Sequence, residues 1–100
     1  MSTDNPLVIL KLSIQRALLD KVVCRLVSIT CGIRGRVLRI RAYVTGPVQE
    51  KDLERLSVIG AEVIADFPDG YTIEESCLSI DDSVEEMFDF WAFHRAPGDS

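Results

Sequence analysis

The stretch VVCRLVSITCGIRGRVLRIRAYV, Val22 to Val44, decides the fold. From Val22 the chain runs with a period of two. Val23, Arg25, Val27, Ile29 and Cys31 alternate with Cys24, Leu26, Ser28 and Thr30, and β-branched residues recur throughout, which is the pattern of a strand. Gly32-Ile33-Arg34-Gly35 supplies glycines that tolerate positive φ, and Val37 to Val44 alternates again, so the stretch predicts a β-hairpin with its turn at 32–35. In the second strand Leu38, Ile40, Ala42 and Val44 face one way, and Val37, Arg39, Arg41 and Tyr43 face the other. Arg39 and Arg41 are therefore expected on the exposed face of a sheet.

Four arginines between Cys31 and Tyr43, two of them beside a Gly-x-x-Gly, raise the question of nucleic acid. The Gly-x-x-Gly of a KH domain clamps a nucleic-acid backbone from between two helices. Here it lies between strands. Glutamates on a neighbouring strand would pair with the same arginines, each pair worth ~1 kcal/mol or less. This second reading is the expected one, because net charge is -5 and an acidic chain repels phosphate.

Outward from the hairpin, Asp4-Asn5-Pro6 is a helix start, with Leu7, Leu10, Ile14, Ala17 and Leu18 at helical spacing toward an end near Asp20. A competing reading keeps Leu7 to Leu12 extended and starts the helix at Ser13. Downstream, Gly46-Pro47 ends the hairpin and Gln49 to Ala65 is the clearest helix. Its core stripe is Leu53, Leu56, Gly60, Val63, Ile64 and Phe67, with Glu50, Lys51, Asp52, Glu54, Arg55 and Glu62 mainly outside. Tyr71 to Ile80 reads as a third strand, Val84 to Met87 as a short helical turn, and Phe88 to Arg95 as a fourth strand before a frayed Pro-Gly-Asp-Ser tail. The order αββαββ predicts an α+β fold, two helices on a largely antiparallel four-stranded sheet. The 100 residues make one domain, ordered from about 6 to 96.

The longest apolar run, Leu7 to Ile14, is broken by Lys11 and falls far short of the ~20 residues of a membrane helix. Met1-Ser-Thr-Asp lacks the basic start of a secretion signal, and Cys24, Cys31 and Cys77 read as buried reduced thiols, so a cytoplasmic protein is expected, without membrane contact. No C-x-x-C, phosphate loop or calcium loop is present, so no metal or cofactor is expected. His94, the sole histidine, has no motif around it that would pair it with a cysteine for catalysis. Glu74 and Glu75 are adjacent and point to opposite faces, so they cannot act as an acid/base pair.

Charge is divided unevenly. Residues 1–50 carry eight Lys/Arg against three Asp/Glu, while 51–100 carry three against thirteen. Asp66, Asp69, Glu74, Glu75, Asp81, Asp82, Glu85, Glu86 and Asp89 are interleaved with Phe67, Tyr71, Met87, Phe88, Phe90 and Trp91. Carboxylates beside exposed aromatics suit a protein aimed at a basic groove. A solvated acidic face over a core of aromatics is the plainer account of the same residues.

Taken as a set, IQRALLDKVVCRLVSITCGIRGRVLRIRAYVTG, EVIADFP and WAFHR resemble a family of small bacterial immunity proteins, those of contact-dependent growth inhibition and other polymorphic toxin systems. The similarity covers about Ser13 to Arg95. Its most specific pieces are Gln15-Arg16-Ala17-Leu18-Leu19 and Glu62-Val63-Ile64-Ala65-Asp66-Phe67-Pro68. The resemblance implies a single-domain antitoxin that performs no chemistry, binding a secreted toxin domain, a basic nuclease, and blocking its active site. On that reading the expected contacts are Asp66, Asp69, Tyr71, Glu74, Glu75, Asp81 and Asp82, with Arg39 and Arg41 serving the sheet and no nucleic acid bound directly. The alternative is a homodimeric small-ligand-binding or regulatory domain paired through a sheet edge.

Overall fold

The computed structural model describes residues 5–18 and 26–94. The expected helix end at Asp20, the strand start at 22–25 with Cys24, and the chain from Arg95 onward lie outside the described residues. The elements are α1 (Pro6–Leu18), β1 (Leu26–Arg34), β2 (Val37–Val44), α2 (Glu50–Ile64), β3 (Thr72–Ser79) and β4 (Phe90–His94), in the expected order αββαββ.

Residues 7–12 are helical. Asn5 Oδ1 accepts the Leu7 N–H at 2.9 Å, and Pro6 occupies a first-turn position where its missing N–H is not needed. The buried line of α1 is Leu10, Ile14, Ala17 and Leu18 together with Ser13. In α2 the buried line is Asp52, Leu56, Ile59, Gly60 and Val63, which corrects two expectations. Asp52 is turned inward because its carboxylate accepts the Gln49 N–H at 2.8 Å and closes the first turn. Leu53, one position off that line, is half exposed. Both helices cover one face of the sheet, and their apolar side chains meet Ile29, Cys31, Leu38, Ile40, Ala42 and Val44.

The sheet order is β3-β2-β1-β4. β1 pairs antiparallel with β2 and with β4, whereas β2 and β3 run parallel because α2 returns the chain to the end at which β2 began. The hairpin turn is tighter than expected. Arg34 pairs with Val37, so only Gly35 and Arg36 lie between the strands, and Gly35 has φ +62°, as the first position of a type II′ turn requires. Gly32 is not in the turn. It stands within β1 opposite Arg39.

Strands β3 and β4 occupy opposite edges, so the chain between them must cross the full width of the sheet, three strand spacings of ~4.8 Å. Residues 80–89 make this crossing over the face that the helices leave open. No helical turn forms at 84–87, because the backbone there is engaged by the sheet's side chains. The Glu86 N–H donates to Tyr43 Oη at 2.9 Å, and the Phe88 N–H to Thr30 Oγ1 at 2.7 Å. Thr30 Oγ1 in turn donates to the Phe90 carbonyl at 2.8 Å, and Ser28 Oγ donates to Glu85 Oε2 at 2.6 Å. At the far end Asp89 N–H donates to the Cys31 carbonyl at 2.9 Å, and its carboxylate accepts the Ile33 N–H at 2.8 Å. Ser28, Thr30 and Tyr43 are consequently buried completely, on the face expected to be exposed.

Gly32 permits this approach. A Cβ there would stand 2.9 Å from Phe88 Cβ and 3.0 Å from Asp89 Oδ2, closer than packed atoms allow. Gly32→Ala should therefore cost about 1–3 kcal/mol in urea unfolding, through displacement of the crossing segment. Gly35→Ala, with nothing within 4 Å of the new methyl, should cost only the roughly 1–2 kcal/mol of a left-handed backbone. Thr30→Val keeps the shape and removes both hydroxyl bonds, and should cost roughly 2 kcal/mol in the same experiment.

Candidate functional site: the crossing segment and the edge of β3

The arginines of the hairpin serve the crossing. Arg39 and Arg41 place their guanidinium groups over the Phe88 ring, 4.1 and 4.9 Å from its centroid. Arg39 Nε also lies 3.9 Å from Glu74 Oε1 across the β2/β3 register. Arg41 donates to Ser76 Oγ at 2.9 Å and lies 3.6 Å from Glu86. The expected cross-strand pairing with a glutamate thus holds for Arg39, and the larger contact, stacking on Phe88, comes from a segment remote in sequence. Both arginines are half-buried.

The residues expected to meet a partner fall into four places. Asp66, just past α2, is held against α1: its carboxylate accepts from Ser13 Oγ at 2.5 Å and pairs with Arg16. Asp69 lies in the exposed turn before β3, and Tyr71 beside it packs on Phe67 with ring centroids 5.1 Å apart. Glu74 and Glu75 stand in the middle of β3, on its two faces. Asp81 and Asp82 follow β3, Asp81 accepting the Gly46 N–H at 3.2 Å. All but Asp66 therefore string along one sheet edge and onto the crossing segment.

That segment adds what the sequence reading did not select. Between residues 80 and 89 there are five carboxylates and no cation. Glu85 is turned inward to Ser28 and lies 3.5 Å from His94 Nε2, but Asp81, Asp82, Glu86 and Asp89 are exposed. Val84 and Met87 are exposed among them, at 84% and 53%. Their signal in the sequence is misleading: two apolar residues three apart in an acidic run, a spacing that reads as a turn of helix. Beside the segment an open groove of about 600 Å³ runs between it and the hairpin, bordered by Gly32, Arg34, Arg39, Met87 and Phe88.

Among the described residues the Cys31 thiol and the His94 imidazole lie on opposite faces of the sheet. Cys31 is buried on the helix side of the sheet, and burial pushes its thiol up to about 12, far from a reactive thiolate. His94 belongs to the other face, paired in register with Ser28 and edge-on to Trp91 at 4.7 Å. Among the described residues no group of three or more His, Cys, Asp or Glu side chains could hold a metal ion. No described helix is long and apolar enough to cross a membrane.

Among the described residues the surface offers an acidic rim, two exposed apolar side chains and, along β3, a sheet edge that no other strand covers. A family model described as the MafI2 immunity protein matches residues 8–97, nine-tenths of the chain, and the chain belongs to that family. No curated protein matches it.

Proposed function

From membership of an immunity protein family as the premise, we propose that this chain neutralises a cognate toxin domain, a nuclease, by binding it with the crossing segment and the β3 edge and masking its active site. The observation that carries the reading is the outward face of residues 80–89 and β3. There Asp81, Asp82, Glu86 and Asp89 are exposed along the segment that carries Val84 and Met87, Glu74 and Glu75 are exposed on β3, and Asp69 is exposed in the turn before it. A nuclease site is basic because it holds phosphates, and an acidic surface competes directly for it. Charge of this kind chiefly accelerates encounter, whereas desolvated apolar anchors slow dissociation. Val84 and Met87 fill the second role. The chain works by occupancy and needs no cofactor, in the compartment where the toxin would act.

The hairpin arginines fit this reading because they are committed to Phe88, Glu74, Ser76 and Glu86 and hold the acidic segment in place. Asp66 contributes differently, by tying α2 to α1.

Co-expression with the toxin domain encoded by the adjacent gene is the test. Wild-type chain should co-purify and protect cells. Replacing Asp81, Asp82 and Glu86 by Lys should lower thermal stability modestly, through the lost Asp81–Gly46 bond and a cation beside Arg41, and weaken binding by about 100-fold or more at low salt, mainly through the association rate. Asp66→Asn should lower stability by about 1 kcal/mol while leaving toxin affinity within about threefold of wild type. Equal binding by the triple Lys variant would remove these carboxylates from the interface.

A further inference from the structure

β3 is an edge strand of eight residues, and its outer side carries backbone groups that the sheet does not use. The Thr72 N–H donates to the Arg36 carbonyl and the Ile80 N–H to the Val44 carbonyl, so the even-numbered residues of this strand direct their backbone toward β2. A strand's N–H and C=O groups alternate in direction, and those of Ile73 and Glu75 consequently point away from the sheet. β3 is also the most exposed strand along its length. Such an edge is a template for a further strand.

Two carboxylates flank it from opposite faces. The Glu74 side chain is 70% exposed beside Arg39 on the face of the crossing segment. Glu75 stands on the helix face and has no cationic partner among the described residues. Its side chain lies against Gly60, where a Cβ would overlap the carboxylate, and the partial burial pushes the Glu75 carboxyl up from its ordinary range. Beyond the strand's two ends stand Asp69 and Asp81 with Asp82.

We propose that the outer edge of β3 around Ile73 and Glu75, which no described strand covers, receives an extended segment of the toxin as a fifth strand, with two successive Lys or Arg residues of that segment meeting Glu74 and Glu75. The proposal rests on the toxin-binding reading and specifies its mode. Successive side chains of a strand point to opposite faces, as Glu74 and Glu75 do, so a pair of adjacent cations satisfies both at one register. A second copy of this chain is the poorer occupant. Two β3 edges related by a twofold axis would set these glutamates close to their own copies and bring Asp69 near Asp81 and Asp82, and like charges across a ladder repel.

Amide hydrogen exchange on the ¹⁵N-labelled chain, free and bound to a catalytically inactive form of the toxin domain encoded by the adjacent gene, tests the mode directly. Strand addition should slow the Ile73 and Glu75 amides by about tenfold or more. The Glu74 amide, already directed at β2, should change much less. Glu75→Pro removes an outward N–H without touching the ladder to β2, and should weaken binding about 100-fold while the chain stays folded. Glu75→Gln keeps that N–H and should weaken binding only about tenfold. A stable complex in which the Ile73 and Glu75 amides stay unprotected overturns the strand while leaving toxin binding intact, and wild-type affinity of a folded Glu75→Pro does the same. Should Glu75→Pro fail to fold, exchange on the wild type decides alone. Absence of any complex overturns the toxin reading and the proposal with it. Protection of the same amides in the free chain, rising with concentration alongside a dimer in sedimentation, assigns the edge to a second copy and overturns the proposal.

Discussion

The strand order β3-β2-β1-β4 is the constraint on which the rest of the molecule depends. Because α2 carries the chain to one edge and the last strand must pair at the other, residues 80–89 have to cross the sheet. The helices already occupy one face, so the crossing takes the other. Everything that makes this passage tolerable is local and polar. Ser28, Thr30 and Tyr43 supply hydroxyls to a backbone without secondary structure of its own, Gly32 supplies space, and Asp89 pins the end to Cys31 and Ile33. A buried backbone that lacked these partners would carry unsatisfied N–H and C=O groups, each costing about 1–3 kcal/mol.

The crossing also reorganises charge. The basic half of the sequence and the acidic half come together across the sheet, Arg39 and Arg41 lying beneath a segment of five carboxylates. The guanidinium planes stack on Phe88 and face Glu74 and Glu86, so part of the positive charge is covered while much of the negative charge remains outside. An immunity protein directed at a basic site gains from that arrangement twice. The acidic surface points outward, and its scaffold is stiffened by the cations that would otherwise compete with it.

Much of the fold was legible because its signals are short-range. Period-two alternation in β1 and β2, Asn5-Pro6 before α1 and the 3.6-residue stripe of α2 each report a local environment, and each of these elements is present in the expected order. Two of the differences are local in kind. Leu53 and Asp52 exchange places in the first turn of α2, where the Asp52 carboxylate closes on the Gln49 N–H, while Leu56, Gly60 and Val63 stay on the buried line as expected. Gly32 was assigned to the turn because a glycine permits two things, positive φ and close approach, and only the packing of Phe88 shows which is used.

The sequence by itself determined the αββαββ order, the two faces of the second hairpin strand and the acidic character of the second half. These follow from periodicity and composition, which are properties of neighbours along the chain. The tertiary structure alone decided that residues 80–89 lie over the sheet, that Phe88 is clasped by two arginines, that Asp66 holds two helices together, and that Glu74 and Glu75 stand on an edge strand. Those contacts join residues some 35 to 60 positions apart. No local pattern encodes them, because the pairing is set by which strands occupy the edges, and that is settled only when the whole sheet assembles.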